Sequence, residues 1–309
     1  MGPGDDAAVV ARTRNERLVV TTDAVVEGVH FSRAYSTPAD IGHRALAVNL
    51  SDLAAMGATP RWALLSLVLP GSTAESDVDE LVDGLAALAV RYGVSIIGGN
   101  ITSTDGPMVV DVTAGGEVGS RKWLTRGGAK SGDAIYVSGS IGGAAAGLEM
   151  LKSGPPSPAS RAWSGCVARH TRPEPRVRLG MAIGRSQAAR AAMDLSDGLA
   201  DALDQVATAS GVGVQVDAAA LPIEPCAHEW WTARGADPVM AALAGGDDYE
   251  LVFAVPRKGY RALRSAVRHA ADPALTKIGE FTKDPRQRVV LRAGKEDVLP
   301  KGFEHFANR

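Results

Sequence analysis

Two cysteines in 309 residues, Cys166 and Cys226, are too few for a disulfide framework. They stand far apart in the chain and form no CxxC pair. Neither they nor the six histidines show a metal-ligand spacing, so a zinc site is disfavoured. On this reading they are reduced thiols of a cytosolic protein. Net charge is equally scarce. Basic and acidic residues number 33 and 35, leaving −2, which gives no general electrostatic hold on nucleic acid or on an anionic membrane. The start, Met1-Gly-Pro-Gly-Asp-Asp6, has neither the basic nor the apolar segment of a signal peptide. The best apolar stretch, Gly84 to Gly99, contains Arg91 and Tyr92 and is too short to cross a bilayer. The expectation is a soluble, cytoplasmic protein in which phosphate binding must come from local arrangements.

What remains is the balance of a folded globular chain, 45% apolar and 22% charged, long enough for two domains or one large one. Strand-like and helix-like patterns alternate. Leu18 to Thr22, Trp62 to Leu69, Val94 to Ile97 and Met108 to Val118 read as strands. Ile41 to Met56 and Asp77 to Tyr92 have helical spacing, with Gly57 and Gly93 as stops. The polar, glycine-containing stretch Gly119 to Gly132 marks a boundary. Beyond it, strands are predicted at Ala134 to Ser140, Ala191 to Leu195, Gly213 to Val216, Glu250 to Val255 and Arg288 to Arg292. Helices are predicted at Ala144 to Leu151, Gly198 to Ser210 and Tyr260 to Ala270, and Lys152 to Ser160 reads as a surface loop. The class is mixed α/β (α+β).

Acidic and hydroxyl residues gather where this apolar pattern breaks: Gly4-Asp5-Asp6, Thr21-Thr22-Asp23, Ser51-Asp52, Asp194-Leu-Ser-Asp197-Gly198 and Gly245-Gly-Asp-Asp-Tyr-Glu250. Asp is a poor strand former, and these positions put carboxylates at the lip of a sheet. Such hard oxygen donors suit Mg²⁺, which bridges to phosphate and keeps some of its water. Each element alone has a bland alternative. Asp beside Gly is commonly a turn, and Asp or Ser before a helix is commonly a cap. Gly98-Gly99 before Asn100 is either a tight turn or a close approach of backbone amides to phosphate. The set of five at separate strand ends favours a metal–phosphate site.

The ordered motifs extend further: Glu27-Gly-Val-His30-Phe31, Ala47-Val-Asn-Leu-Ser-Asp52-Leu-Ala-Ala-Met-Gly57, Ile96-Ile-Gly-Gly-Asn100, Thr125-Arg126-Gly-Gly-Ala-Lys-Ser-Gly-Asp133, Arg169-His170, Met193-Asp-Leu-Ser-Asp-Gly-Leu199, Gly245-Gly-Asp-Asp-Tyr-Glu-Leu251 and the closing Lys301-Gly-Phe303-Glu-His305-Phe306. Together they resemble the thiamine-monophosphate kinase family of the aminoimidazole-ribonucleotide-synthetase-like superfamily, over nearly the whole chain. The resemblance implies an N-terminal domain, residues 1–120, that pairs with its twin in a homodimer and joins sheets with it in a barrel. A C-terminal α+β domain, residues 121–309, would complete the nucleotide and substrate site. It further implies ATP as co-substrate, thiamine monophosphate as acceptor and several Mg²⁺ ions. Asp6, Thr21, Thr22, Asp23, Asp52, Asn100, Asp194 and Asp197 would hold metal. Gly99, Asn100, Arg126 and Ser196 would contact ATP, and His30, Asp247 and Phe303 would face the acceptor.

The chemistry agrees with that implication. A phosphate monoester is already largely dianionic at neutral pH, so it needs positioning and charge neutralisation, not a general base. Three departures from the family pattern stand out. Asn100 replaces a common Asp and removes one negative charge from its metal, Asp247 replaces a commoner Glu, and Gly4-Asp5-Asp6 is reached without the usual preceding turns. A second synthetase of the same superfamily and a non-catalytic sensor of nucleotide or thiamine phosphate are the alternatives.

Overall fold

The computed structural model describes residues 7–11, 15–154, 163–270 and 274–303. Asp6 and the rest of Gly4-Asp5-Asp6, much of the Lys152 to Ser160 loop, and His305 and Phe306 lie outside the described residues.

The N-terminal half is a five-stranded sheet backed by two long helices. Its strands are β1 (Ala8–Ala11), β2 (Glu16–Val26), β3 (Thr59–Pro70), β4 (Ser95–Thr104) and β5 (Val109–Gly119), in the spatial order β1-β2-β5-β3-β4. Helix α1 (Pro38–Ala55) starts at a capping box, in which Thr37 accepts from the Asp40 amide and Asp40 from the Thr37 amide, with Pro38 in the first turn. Helix α2 (Glu75–Tyr92) crosses it at unusually close range. A Cβ on Gly42 would come within 1.9 Å of the Leu81 carbonyl oxygen, and one on Gly84 within 2.1 Å of the Ala39 carbonyl oxygen. Only glycine permits that backbone contact. Nearly all of α1 beyond Asp40 is buried, because the sheet covers one side of it and the C-terminal half covers another.

The C-terminal half holds the second sheet, seven-stranded in the order β12-β11-β8-β10-β6-β9-β7. It comprises β6 (Ala134–Ser138), β7 (Ala191–Asp194), β8 (Gly213–Asp217), β9 (Leu251–Val255), β10 (Leu275–Thr282), β11 (Arg288–Arg292) and β12 (Lys295–Val298). Packed on it are α3 (Gly143–Lys152), α4 (Ser164–Thr171), α5 (Val177–Ser186), α6 (Leu199–Ser210), α7 (Pro225–Ala233), α8 (Pro238–Ala244) and α9 (Tyr260–Ala270). One large core runs from β2, α1 and α2 through α5 to β9 and α9. Apolar burial therefore joins the two halves without a break.

One expectation from sequence is corrected here, and one of two alternatives is removed. Cys166 and Cys226 are not reduced thiols: they form a disulfide between α4 and α7. Both helices pack against α3, and Cys166, Cys226, Met150 and Trp230 are buried together. A separation of 60 residues along the chain says nothing about this distance. Gly98-Gly99 is not a turn either. Strand β4 runs straight through it, with a bulge opposite Ala63 and Leu64 of β3. A Cβ on Gly99 would meet the Leu65 carbonyl oxygen at 1.8 Å, so strand packing already requires glycine there.

Candidate active site

Between the halves lies a cleft of about 750 Å³. Thr21, Thr22 and Asp23 reach it from β2, and Asp52 from α1. Asp194 comes from the end of β7, and Ser196 and Asp197 from the turn into α6. Arg126, His30, Asp247 and Phe303 line it as well. Residues scattered over almost 300 positions thus share one cavity. Gly99 and Asn100 do not: both are exposed on β4, the edge strand of the N-terminal sheet, outside this cleft.

Local structure explains each placement. Alternation along β2 puts Thr21 and Asp23 on one face, and the buried Thr21 hydroxyl donates to Asp52 Oδ2 at 2.5 Å. Thr22 also lines the cleft, its hydroxyl 3.1 Å from that of Thr113 on β5. On α1, Ser51 donates to the buried Asp194 Oδ2 at 2.6 Å. His30 accepts from the Val26 amide through Nδ1 at 3.0 Å, which fixes the ring in its turn. Arg126 reaches Gln205 Oε1 at 2.6 Å. The Phe303 amide donates to the Asp197 carbonyl at 3.1 Å, while the ring is 54% exposed at the cleft.

The segment Asp247-Asp-Tyr-Glu250 divides its side chains between cleft and core. Asp248 turns inward and accepts from the Gly142 amide at 2.5 Å and the Ala144 amide at 3.1 Å, pinning the start of α3. Burial pushes its carboxyl up to about 7, against those two amide donors. Glu250 is fully buried, held by Arg176 at 2.5 and 2.7 Å and by Ser138 at 2.5 Å. Asp247 and Tyr249 face the cleft, both with left-handed backbone (φ 68° and 48°) that the anchored neighbours hold in place. Asp247 meets Arg44 at 2.6 Å and lies 3.5 Å from His170 Nδ1. Burial opposes its ionisation, yet the Arg44 guanidinium overrides that and keeps the carboxyl far below the usual carboxylate range.

Sequence reasoning did not identify Arg44, or Ser51 as the partner of Asp194; it singled out Trp230 and Trp231 together as a region able to cover substrate, and of the two only Trp231 lines the cleft. A signal existed for Arg44: a cation inside an otherwise apolar helical run has to find a buried partner. Trp230, next to Trp231, is core instead, edge-on to Trp163 and under Arg234.

The donor chemistry fits magnesium. Thr21, Asp23, Asp52, Asp194 and Asp197 offer only oxygen, and they come from both sides of the cleft. Among the described residues, no three acidic, histidine or cysteine side chains are preassembled as a metal cage. Mg²⁺ does not require one, because it binds through one or two carboxylates together with water and substrate phosphate.

Two α/β halves closing on an acid-lined cleft define the class. Residues 4–118 match the family model of the AIR synthase related protein, N-terminal domain, and residues 130–292 that of the AIR synthase related protein, C-terminal domain. Within that class, thiamine-monophosphate kinases of Bacillus subtilis and Escherichia coli are 37% and 39% identical to this chain. The alignments cover 99% of it and 93% and 92% of the relatives. A solved structure of AaThiL complexed with AMPPCP and TMP superimposes with a TM-score of 0.86 at 34% identity, covering 98% of this chain and 91% of that one. The hydrogenase maturation protein HypE shares the fold at 21% identity, with a TM-score of 0.79 over 100% of this chain and 96% of its own. The chain belongs to the thiamine-monophosphate kinase family.

Proposed function

We propose that this protein transfers the γ-phosphoryl group of ATP to thiamine monophosphate, giving ADP and thiamine diphosphate. The observation that carries this reading is the convergence of Thr21, Asp23, Asp52, Asp194 and Asp197 on one cleft between the halves, joined to the family membership established above. AaThiL was crystallised with AMPPCP and TMP, which supports a cleft that takes nucleotide and acceptor together.

The difficulty in this reaction is repulsion between two phosphate groups. Bound Mg²⁺ would supply the charge neutralisation, held by Thr21, Asp23, Asp52, Asp194 and Asp197, with Thr22, Asn100 and Asp6 as the further donors the family pattern assigns. Thr21 and Ser51 orient Asp52 and Asp194 through their hydroxyls, so these carboxylates are aimed before substrate arrives. Arg126 and Ser196 line the same cleft on the nucleotide's side, Arg126 being fixed by Gln205. His30, Asp247 and Phe303 face the acceptor, and the exposed Phe303 ring suits a cationic thiazolium. No side chain is assigned as general base. Asp247 is ionised, but Arg44 and Tyr249 already engage its Oδ1, and the acceptor phosphate is its own nucleophile. Transfer is direct and in line, with no phosphorylated enzyme.

Gly99 and Asn100 enter this scheme through a second copy of the chain. Edge strand β4 is exposed on both faces and carries Ile97 and Ile101, 59% and 63% exposed. An apolar, unpaired edge invites another strand. Pairing of two N-terminal sheets there, closing into a barrel, would bury these side chains and bring Gly99 and Asn100 toward a cleft. The functional division then falls at about residue 120.

The reading is tested by incubating the protein with ATP, Mg²⁺ and thiamine monophosphate. ADP and thiamine diphosphate should appear in equal amounts. Binding of both ligands without turnover would make the protein a sensor, and ADP formation without thiamine diphosphate would point to a different acceptor. Either result overturns the proposal.

A further inference from the structure

Helix α1 is fastened to the C-terminal half along its length: near its start Asp40 pairs with Arg172 and His43 with the Pro173 carbonyl, and two further contacts lie deeper, beside the cleft. Ser51 donates to Asp194 at 2.6 Å, and Arg44 binds Asp247 Oδ1 at 2.6 Å and the His170 carbonyl at 2.6 Å. Seven residues separate Arg44 from Ser51, close to two helical turns and about 10 Å along the axis. Val48, lying between them on the same stripe, and Asp52, one turn further on, line the cleft. The stripe therefore forms a floor with the phosphate-gathering acids at one end and Asp247 at the other.

Arg44 is 2% exposed, whereas the Asp247 side chain keeps 28% of its surface open. The guanidinium is thus spent on holding a cleft residue from behind and offers nothing to a ligand directly. Its fork is what spans the two acceptors, one on α4 and one on the loop before β9. The Asp247 backbone is left-handed, a conformation that persists only where neighbours impose it.

We infer that Arg44 is a positioning residue for the phosphate acceptor: by gripping Asp247 and the end of α4 from α1, it sets the acceptor end of the cleft in register with the carboxylates at the other end. This rests on the reading that Asp247 faces thiamine monophosphate. A role confined to stability would lower the amount of active protein and leave KM unchanged. A positioning role raises KM for one substrate.

The test is steady-state kinetics of full-length Arg44→Met, Arg44→Lys, Asp247→Asn and the Arg44→Met/Asp247→Asn double variant. Arg44→Met should raise KM for thiamine monophosphate by roughly ten-fold or more, as expected for loss of one partner of a buried charge pair, with KM for ATP little changed. Arg44→Lys should recover part of the loss, because one ammonium reaches Asp247 but cannot also reach the His170 carbonyl. In the Asp247→Asn background, Arg44→Met should add much less to KM, since the residue it acts through is already altered. An unchanged KM for thiamine monophosphate, equal rises for both substrates, or full additivity in the double variant would overturn the inference. Should Arg44→Met not fold, Arg44→Lys decides alone, and an unmoved KM counts against the proposal. A wild-type chain that makes no thiamine diphosphate would instead count against the function proposed above.

Discussion

The Ser51 hydroxyl and the Asp194 carboxylate meet at 2.6 Å, both buried, across the junction of the two halves. A helix residue of one half thereby aims an acid of the other. Replacing Ser51 by Ala removes one donor from the buried Asp194 carboxylate. A loss of about 1–3 kcal/mol in folding stability is expected, together with a fall in kcat, since Asp194 is no longer fixed. Urea unfolding and turnover measured on the same preparation check both, and a variant as stable and as active as the wild type would show that the bond does neither job.

Asp248 makes stability depend on pH. Its folded carboxyl is raised by burial from 3.8 to about 7, so the folded state holds a proton that the unfolded state has released between these values. Stability from this group is fully present below about pH 4, declines as pH rises toward 7, and is lost above it. Asp248→Asn removes the titration. The wild-type melting temperature should fall relative to that of the variant between pH 5 and pH 8, as read by calorimetry; parallel curves would contradict the assignment.

The buried pair Cys166 and Cys226 ties α4, which carries His170, to α7, which carries the cleft-lining Trp231. Alkylation of the denatured, unreduced protein should label neither cysteine, and Cys166→Ser should lower stability by about 2–5 kcal/mol. Two labelled thiols would restore the reduced pair that the sequence suggests.

The proposed pairing of two copies through the exposed edge strand β4 is open to direct test. Ile97→Lys and Ile101→Lys should shift a dimer toward monomer in sedimentation velocity and reduce turnover, because Gly99 and Asn100 would no longer reach a second cleft. An active wild-type monomer would end this account of the interface.

The sequence exposed some of this architecture more readily than the rest. Long periodic segments were legible: α1, α2, β2, β3 and β5 follow the apolar pattern, since local periodicity and burial agree there. Short helices α4, α5, α7 and α8 and strands β1, β10 and β12 went unread. Most of them are brief; β10, eight residues long, is interrupted by a bulge before Gly279, and the ten-residue α5 follows directly on a proline-containing segment. The acids of the cleft were legible because Asp at a strand end has little structural use. The disulfide, the Arg44 grip and the hydroxyl partners were not, because each is a contact between elements distant in sequence. Gly98-Gly99 stayed open between a turn and a phosphate approach for a related reason: the need for glycine at Gly99 comes from the adjacent strand β3, which local sequence does not show.

Asp23 offers the sharpest test, for it lies on the same strand face as Thr21 and lines the cleft together with Asp194 of the other half. Turnover of Asp23→Ala should be followed over a range of Mg²⁺ concentrations, with ATP and thiamine monophosphate saturating. A loss of at least about 100-fold in kcat is predicted, consistent with removal of several kcal/mol of charge stabilisation, along with a requirement for more Mg²⁺. Undiminished thiamine diphosphate formation at the wild-type Mg²⁺ dependence would contradict it.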